Sequence, residues 1–521
     1  MTEAMGSWPE TIPASASAAA QKWPAVIGLI EGEQRWTFAE VWADARRCAS
    51  AMLAAGVGQG DRIAIWAPNG RAWILIALGA QIAGAAIVPL NTRFKGQEAA
   101  DILRLSRAKL VFAPQDFLGT DYRTLLDGED LPDLTGLIYS DSQFDGFMES
   151  GHGVGDPRVD EALARLSGED VSDIIFTSGT TGRPKGAVST HRQVMQTFGD
   201  WITRVGLRQG DQYLLVNPFF HTFGYKAGWL NCFTSGATMI PVPLFEAAEI
   251  VRLVERHRVT FLPGPPTLYV TLLQELAGDK PRDFSSLRVA VTGAAPVAPA
   301  LVVRMRDELG MSNIVNGYGM TECGVIAMTR QGDDAQTIAD TCGYPMPGLE
   351  VRCVDDDGRE VPVGESGEIV VRGQTVMQGY LDDPVATAEV IDKDGWFHTG
   401  DIGALDARGY LSITDRKKDM YISGGFNCYP AEIEKLLAAH PAVETAAVVP
   451  MPDERMGEVG AAFVVLRAGL QVEAPAIIGW ARENMANYKV PRRVLFIDAL
   501  PRNEGGKVLR PALRDLLTKE N

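Results

Sequence analysis

Through residue 415 the chain alternates two rhythms: stretches with apolar positions at helical spacing, and short continuous apolar runs. Arg62-Ile-Ala-Ile-Trp, Ala86-Ile-Val-Pro-Leu, Lys109-Leu-Val-Phe-Ala and Leu287-Arg-Val-Ala-Val-Thr are runs of the second kind. Several end at Gly, Pro or Asn, as strands do where a loop leaves a sheet edge. Strands interleaved with helices predict α/β layering on mostly parallel sheets. Trp73 to Leu90 carries no charged residue and barely reaches the length of a membrane span. The break at Gly84, followed by Ala-Ala-Ile-Val-Pro-Leu, predicts instead a buried helix leading into a buried strand. From Glu350 to Arg372 the pattern shifts to short strands around an Asp355-Asp-Asp-Gly358 turn, which predicts an antiparallel section.

A sharper change comes at Asp415-Arg-Lys-Lys-Asp-Met420. Beyond it, Ala431 to His440 reads as a short helix with Pro430 at its start. Val443 to Met451 and Ala461 to Arg467 read as strands. Pro475 to Met485 reads as a helix that tolerates its proline in the first turn. The expected division is a large α/β domain over residues 1–415 and a small α+β domain over 416–521.

Composition narrows the classes. A chain of 521 residues is too long for one ordinary core, and 46% hydrophobic with 22% charged residues suits a globular protein. The net charge of −17 repels phosphate backbones, so nucleic acid is not an expected partner. Cys48, Cys232, Cys323, Cys342, Cys353 and Cys428 form no C-x-x-C pair, which argues against zinc and disulfide frameworks and for a reducing cytoplasm. Met1 to Ala20 has no basic start or long apolar core, so it does not read as a signal peptide.

Asp173-Ile-Ile-Phe-Thr reads as a buried strand running straight into Ser178-Gly-Thr-Thr-Gly-Arg-Pro-Lys-Gly. Gly179 and Gly182 let backbone N–H groups approach phosphate oxygens closely. Thr177, Ser178, Thr180 and Thr181 add hydroxyls, and Lys185 adds charge. The spacing is not that of a P-loop, because no Ser or Thr succeeds Lys185. This stretch, Thr177 to Gly186, resembles the phosphate loop of the adenylate-forming superfamily, which includes acyl-CoA synthetases, peptide-synthetase adenylation domains and beetle luciferases. Further matching blocks follow in that family's order across most of the chain.

The resemblance implies a β-barrel-like section at the end of the large domain and a mobile small domain. It also implies ATP, Mg²⁺ and coenzyme A as reaction partners of a small carboxylic acid. In Gly317-Tyr-Gly-Met-Thr-Glu322, after a short apolar strand, Tyr318 would stack on adenine beside Gly319, Thr321 would touch the α-phosphate, and Glu322 would bind Mg²⁺. Gly293-Ala294-Ala295 resembles the segment lining the adenine and acyl sites, and Gly317 borders the acyl pocket. Trp396-Phe-His-Thr-Gly-Asp401 ends on a carboxylate after a tight glycine turn. A two-oxygen acceptor suits a vicinal diol, and the family gives this Asp401 the ribose, with Arg416 assisting. Lys418, or its neighbour Lys417, matches the hinge. Gly424, Gly425 and Phe426 match the loop beside the CoA tunnel. Lys507, in Pro501-Arg-Asn-Glu-Gly-Gly-Lys507, matches the catalytic lysine that stabilises charge during adenylation; Gly505 departs from the Ser or Thr common there.

Asn217-Pro-Phe-Phe-His221-Thr-Phe-Gly-Tyr-Lys226-Ala-Gly228 resembles the block bordering the acyl pocket. His221 would position the carboxylate, or else be a core histidine. Lys226 is an ammonium that would suit a ring ketone, or else lies on the outside of its helix. No Asp stands out to hold an α-amine, and no carrier-protein segment follows Asn521; both favour free CoA over carrier loading. Pro89 to Gly96, Phe219 to Gly228, Leu262 to Thr267 and Ala486 to Pro491 look like ligases acting on a methyl-dioxo-hexahydroindanyl propanoate from steroid-ring degradation. A medium-chain fatty acid or an aryl acid stays open, as do a stand-alone adenylation enzyme and a homodimer. No integral membrane span is expected.

Overall fold

The computed structural model describes residues 6–178, 184–278, 281–293, 297–416, 419, 421–423, 426–428, 430–453, 456–485, 487–502 and 508–519. Two large sheets organise the N-terminal domain. One has seven strands in the order Gly379–Tyr380, Pro184–Thr190, Val171–Ser178, Ala86–Pro89, Arg62–Ile65, Leu110–Ala113 and Gly136–Tyr139. The last five run parallel, and the first two are antiparallel additions at the edge. The other has nine strands. Its centre, from Ile27–Glu31 through Thr238–Pro241, Gln212–Leu215, Phe261–Pro263 and Val289–Gly293 to Asn313–Met320, is parallel.

Helices Phe38–Ala54, Arg71–Ile82 and His191–Val205 lie between the sheets. One apolar cluster joins Ile65 and Ile87 of the first sheet, Tyr213 and Val291 of the second, and Met52, Leu75 and Phe198 of these helices. From Trp73 to Leu90 every residue except Gly84 is buried. A helix apolar on all sides is stable when protein covers all sides, which accounts for the charge-free stretch. Gly79 permits the close crossing: a Cβ there would lie 2.7 Å from the Cys48 sulfur. Among the described residues no helix is long and apolar enough to cross a membrane.

Helix His191–Val205 starts where Thr190 accepts the Gln193 N–H and the Gln193 side chain accepts the Thr190 N–H, a reciprocal cap. After the nine-stranded sheet, strands Leu349–Val354, Gly367–Gly373, Phe397–Leu405 and Leu411–Arg416 form an antiparallel half-barrel section. The smaller C-terminal domain is α+β. Its sheet carries Pro430–Ala438 and Ala474–Asn484 on one face, through Ile433, Leu437, Ile477 and Ala481 against Val448 and Val464. Arg510–Lys519 covers the other face, with Leu513 and Leu517 against Val449 and Phe463. The sorting of Val448 and Val449 to opposite faces is the period of two expected of a strand covered on both sides.

Candidate active site

The phosphate-loop strand Val171–Ser178 turns back into a second strand, Pro184–Thr190, rather than into a helix. Ser178 stands opposite Pro184 and Thr177 opposite Lys185, so the two ends of the loop are held in register. The Thr177 hydroxyl donates to the Lys185 carbonyl at 3.5 Å. Gly179, Thr180, Thr181 and Gly182 lie outside the described residues, as does the Ser178 side chain. The Lys185 ammonium lies 5.2 Å from the Tyr380 ring centre and 3.9 Å from the Glu389 carboxylate.

The strand expected around Ile314 and Val315 is longer than the apolar run, spanning Asn313–Met320 and so including Gly317, Tyr318 and Gly319. Gly293 pairs with Gly317 on the neighbouring strand, where a Cβ would stand 2.7 Å from the Gly317 carbonyl oxygen. Ala294 and Ala295 lie outside the described residues. Thr321, Glu322 and Cys323 form the turn into strand Gly324–Met328.

Asp401 sits inside the strand Phe397–Leu405, which corrects the expectation of a residue set after a tight turn. Gly400 takes a positive φ of 68° within that strand, a bulge that redirects the chain without ending it. The Asp401 carboxylate is buried and accepts the Tyr318 hydroxyl at 2.6 Å, joining the half-barrel section to the nine-stranded sheet. Burial, reinforced by the Asp401 charge, pushes the Tyr318 phenol well above its ordinary pKa, so it stays a donor. Arg416 is the cross-strand partner of Asp401.

Glu322 is 7% exposed and receives the Tyr380 hydroxyl at 3.1 Å on one oxygen. No Lys or Arg among the described residues pairs with it. A buried carboxylate without a counter-charge is costly, and a hard cation shared with phosphates uses only one or two carboxylates. The Glu322 surroundings therefore fit Mg²⁺. Among the described residues no group of three or more His, Cys, Asp or Glu forms a metal cage.

His221 caps the short helix Thr222–Gly224, its Nδ1 accepting the Phe223 N–H at 3.3 Å. His221 is exposed to solvent, yet the protein packed around it lowers the imidazole's pKa. The chain then widens into a π-helical turn, Tyr225–Leu230, with Gly228 leaving helical geometry; such widening often marks functional segments. Lys226 is not on the outside of this helix. It is 2% exposed, with its ammonium 2.7 Å from Asp173 and donating to Ser189 at 3.2 Å. Ser172 donates to Asp173 at 2.7 Å. The turn Tyr225–Leu230 is thus bolted to both strands of the hairpin Val171–Ser178 and Pro184–Thr190.

Lys418, Gly424, Gly425 and Lys507 lie outside the described residues. Phe426 begins the strand Phe426–Cys428, paired with Tyr421–Ser423. Arg502 bridges to Val508, and the Leu509 N–H donates to the Pro501 carbonyl at 2.8 Å. These contacts fix the segments on either side of 503–507. Sequence reasoning missed Asp173 and Tyr380. Asp173 lies within an apolar run that reads as plain strand, and an isolated Gly-Tyr pair carries no signal of its own.

The AMP-binding enzyme family matches residues 15–381, and the AMP-binding enzyme C-terminal domain matches residues 432–507. A Mycobacterium tuberculosis H37Rv protein named as a CoA ligase for a methyl-dioxo-octahydro-indenyl propanoyl group is 47% identical over 97% of this chain and 99% of its own. Its namesake in Rhodococcus jostii RHA1 is 44% identical over 98% of this chain and 99% of its own. The crystal structure of the anthranilate CoA ligase AuaEII with anthranoyl-AMP superimposes with a TM-score of 0.85, at 27% identity over 98% of both chains. The chain belongs to the family of AMP-binding enzymes and is an ATP-dependent, adenylate-forming acid–CoA ligase.

Proposed function

We propose that the acid is a bicyclic propanoate bearing ring ketones, of the kind left by steroid-ring degradation. The observation that carries this reading is the near full-length similarity to two ligases named for such an acyl group. The buried ammonium of Lys226 supports it. The ammonium forms an ion pair with Asp173 and donates one hydrogen bond, to Ser189, and a further N–H is assigned to a ring ketone.

The reaction has two steps. The carboxylate, oriented by the neutral imidazole of His221 beside Gly317, attacks the ATP α-phosphorus, and the bond to pyrophosphate breaks. The phosphate loop, Thr177 to Gly182 with Lys185, holds the β- and γ-phosphates; Thr321 and Lys507 meet the charge that develops on the α-phosphate. Tyr318 stacks on the adenine, flanked by Gly293, Ala294, Ala295 and Gly319. Asp401, with Arg416, reads the ribose. Glu322 would hold Mg²⁺, which when bound polarises the phosphate oxygens. The domain of residues 416–521 then turns about Lys418, withdrawing Lys507 and bringing Gly424, Gly425 and Phe426 to the CoA thiol. The thiol sulfur attacks the acyl carbon, and AMP leaves. The absence of disulfides among the six cysteines suits a reducing cytoplasm.

The test is a specificity split. Lys226→Met alone would strand a buried Asp173 charge, at about 3–5 kcal/mol, so the double variant with Asp173→Asn is compared with wild type. Its kcat/KM for the ring-ketone acid should fall about tenfold or more relative to the same acid lacking ketones, the loss of one hydrogen bond from a charged donor. Equal effects on both acids would remove Lys226 from ketone recognition.

A further inference from the structure

The segment Val376 to Leu381 straps the Glu322 turn to the phosphate-loop hairpin. The Met377 N–H donates to the Glu322 carbonyl at 2.7 Å. Three residues on, the chain joins strand Pro184–Thr190: Tyr380 pairs with Ala187 and Gly379 with Val188. The Gln378 N–H donates to Val188 at 2.9 Å and the Leu381 N–H to Gly186 at 2.8 Å. The Tyr380 N–H is itself held by the Thr387 hydroxyl at 2.9 Å, so the residue is anchored through its backbone on two sides.

From that anchorage one side chain reaches two functional groups. The Tyr380 hydroxyl donates to the Glu322 carboxylate at 3.1 Å, and its ring face lies 5.2 Å from the Lys185 ammonium. A glutamate side chain has several rotatable bonds, and one hydrogen bond on one oxygen fixes its orientation while leaving the other oxygen open. An ammonium over an aromatic face is attracted by the ring quadrupole. Glu389 also faces Lys185, but at 3.9 Å and on an exposed side chain, where pairing is weak.

We propose that Tyr380 is a positioning residue of the nucleotide site, its hydroxyl aiming Glu322 at the metal and its ring aiming Lys185 at the phosphates. The proposal rests on the reading of Glu322 as the Mg²⁺ ligand and Lys185 as a phosphate contact. It divides the side chain into two separable parts: Phe at 380 keeps the ring and loses the hydroxyl, and Leu loses both.

The experiment uses the full-length protein with Mn²⁺ as the probe. Free Mn²⁺ is followed by electron paramagnetic resonance in the presence of ATP and no acid, and metal-free ATP binding is measured by calorimetry in EDTA. Tyr380→Phe should weaken Mn²⁺ binding about tenfold, the loss of a hydrogen bond to a charged group, with metal-free ATP affinity unchanged. Tyr380→Leu should weaken both. Glu322→Gln runs in parallel. Unchanged Mn²⁺ affinity in Glu322→Gln would overturn the metal reading of Glu322 itself. Lost affinity in Glu322→Gln with wild-type affinity in Tyr380→Phe would overturn the Tyr380 proposal alone. A Tyr380→Phe protein that loses both affinities equally would contradict the division between hydroxyl and ring.

Discussion

His191 opens the central helix His191–Val205 with its imidazole sealed from solvent, and its Nδ1 accepts the Ile12 N–H at 3.3 Å. Accepting at Nδ1 requires the neutral ring, and burial pushes the pKa from 6.5 down to about 3. The unfolded chain therefore binds a proton that the folded chain refuses between those two values. Stability from this residue is fully present above pH 6.5 and is lost as pH falls toward 3. Urea unfolding at pH 7 and pH 5 should show wild type losing about 2 kcal/mol more than His191→Gln over that interval. Parallel losses would show that His191 is not held neutral. Lys226 and Glu322 are two further buried polar groups: the first is paired with Asp173, and the second accepts the Tyr380 hydroxyl. Neither partner, Asp173 or Tyr380, is legible along the sequence. Asp173 and Lys226 are far apart in the chain, and only the packing of a π-helical turn against the hairpin brings them to 2.7 Å.

Elements were more legible than contacts. The apolar runs at Arg62, Ala86 and Lys109 are the adjacent parallel strands Arg62–Ile65, Ala86–Pro89 and Leu110–Ala113. Helices expected at 431–440 and 475–485 span Pro430–Ala438 and Ala474–Asn484. Buried strands and prolines at helix starts leave local marks, which is why these were readable. The strands that carry the candidate site residues Lys185 and Asp401 were not. Pro184–Thr190 is rich in small polar residues and exists because Val171–Ser178 and Gly379–Tyr380 offer it partners on both sides. Asp401 reads as a turn residue because Gly400 precedes it, yet cross-strand pairing carries the strand through that glycine. The order of the family-like blocks was therefore a better guide to the family than local propensity.

At the level of the molecule, the proposed mechanism divides the reaction between the two domains. Tyr318, Glu322, Asp401 and Lys185 belong to the large domain, and Lys507 to the small one. Removing Lys507 should therefore separate the half-reactions. Lys507→Ala is expected to reduce acid-dependent pyrophosphate exchange by about a hundredfold or more, the usual size of a lost transition-state charge contact. Thioester formation from supplied acyl-adenylate should stay near the wild-type rate. Equal loss in both would assign Lys507 a structural part. The acid itself is settled by CoA-dependent AMP release from ATP, compared for the bicyclic diketo-propanoate and a straight medium-chain acid. A kcat/KM for the bicyclic acid about tenfold or more above that of the straight chain is the expected result. Ready turnover of the straight chain, with none of the bicyclic acid, would contradict it.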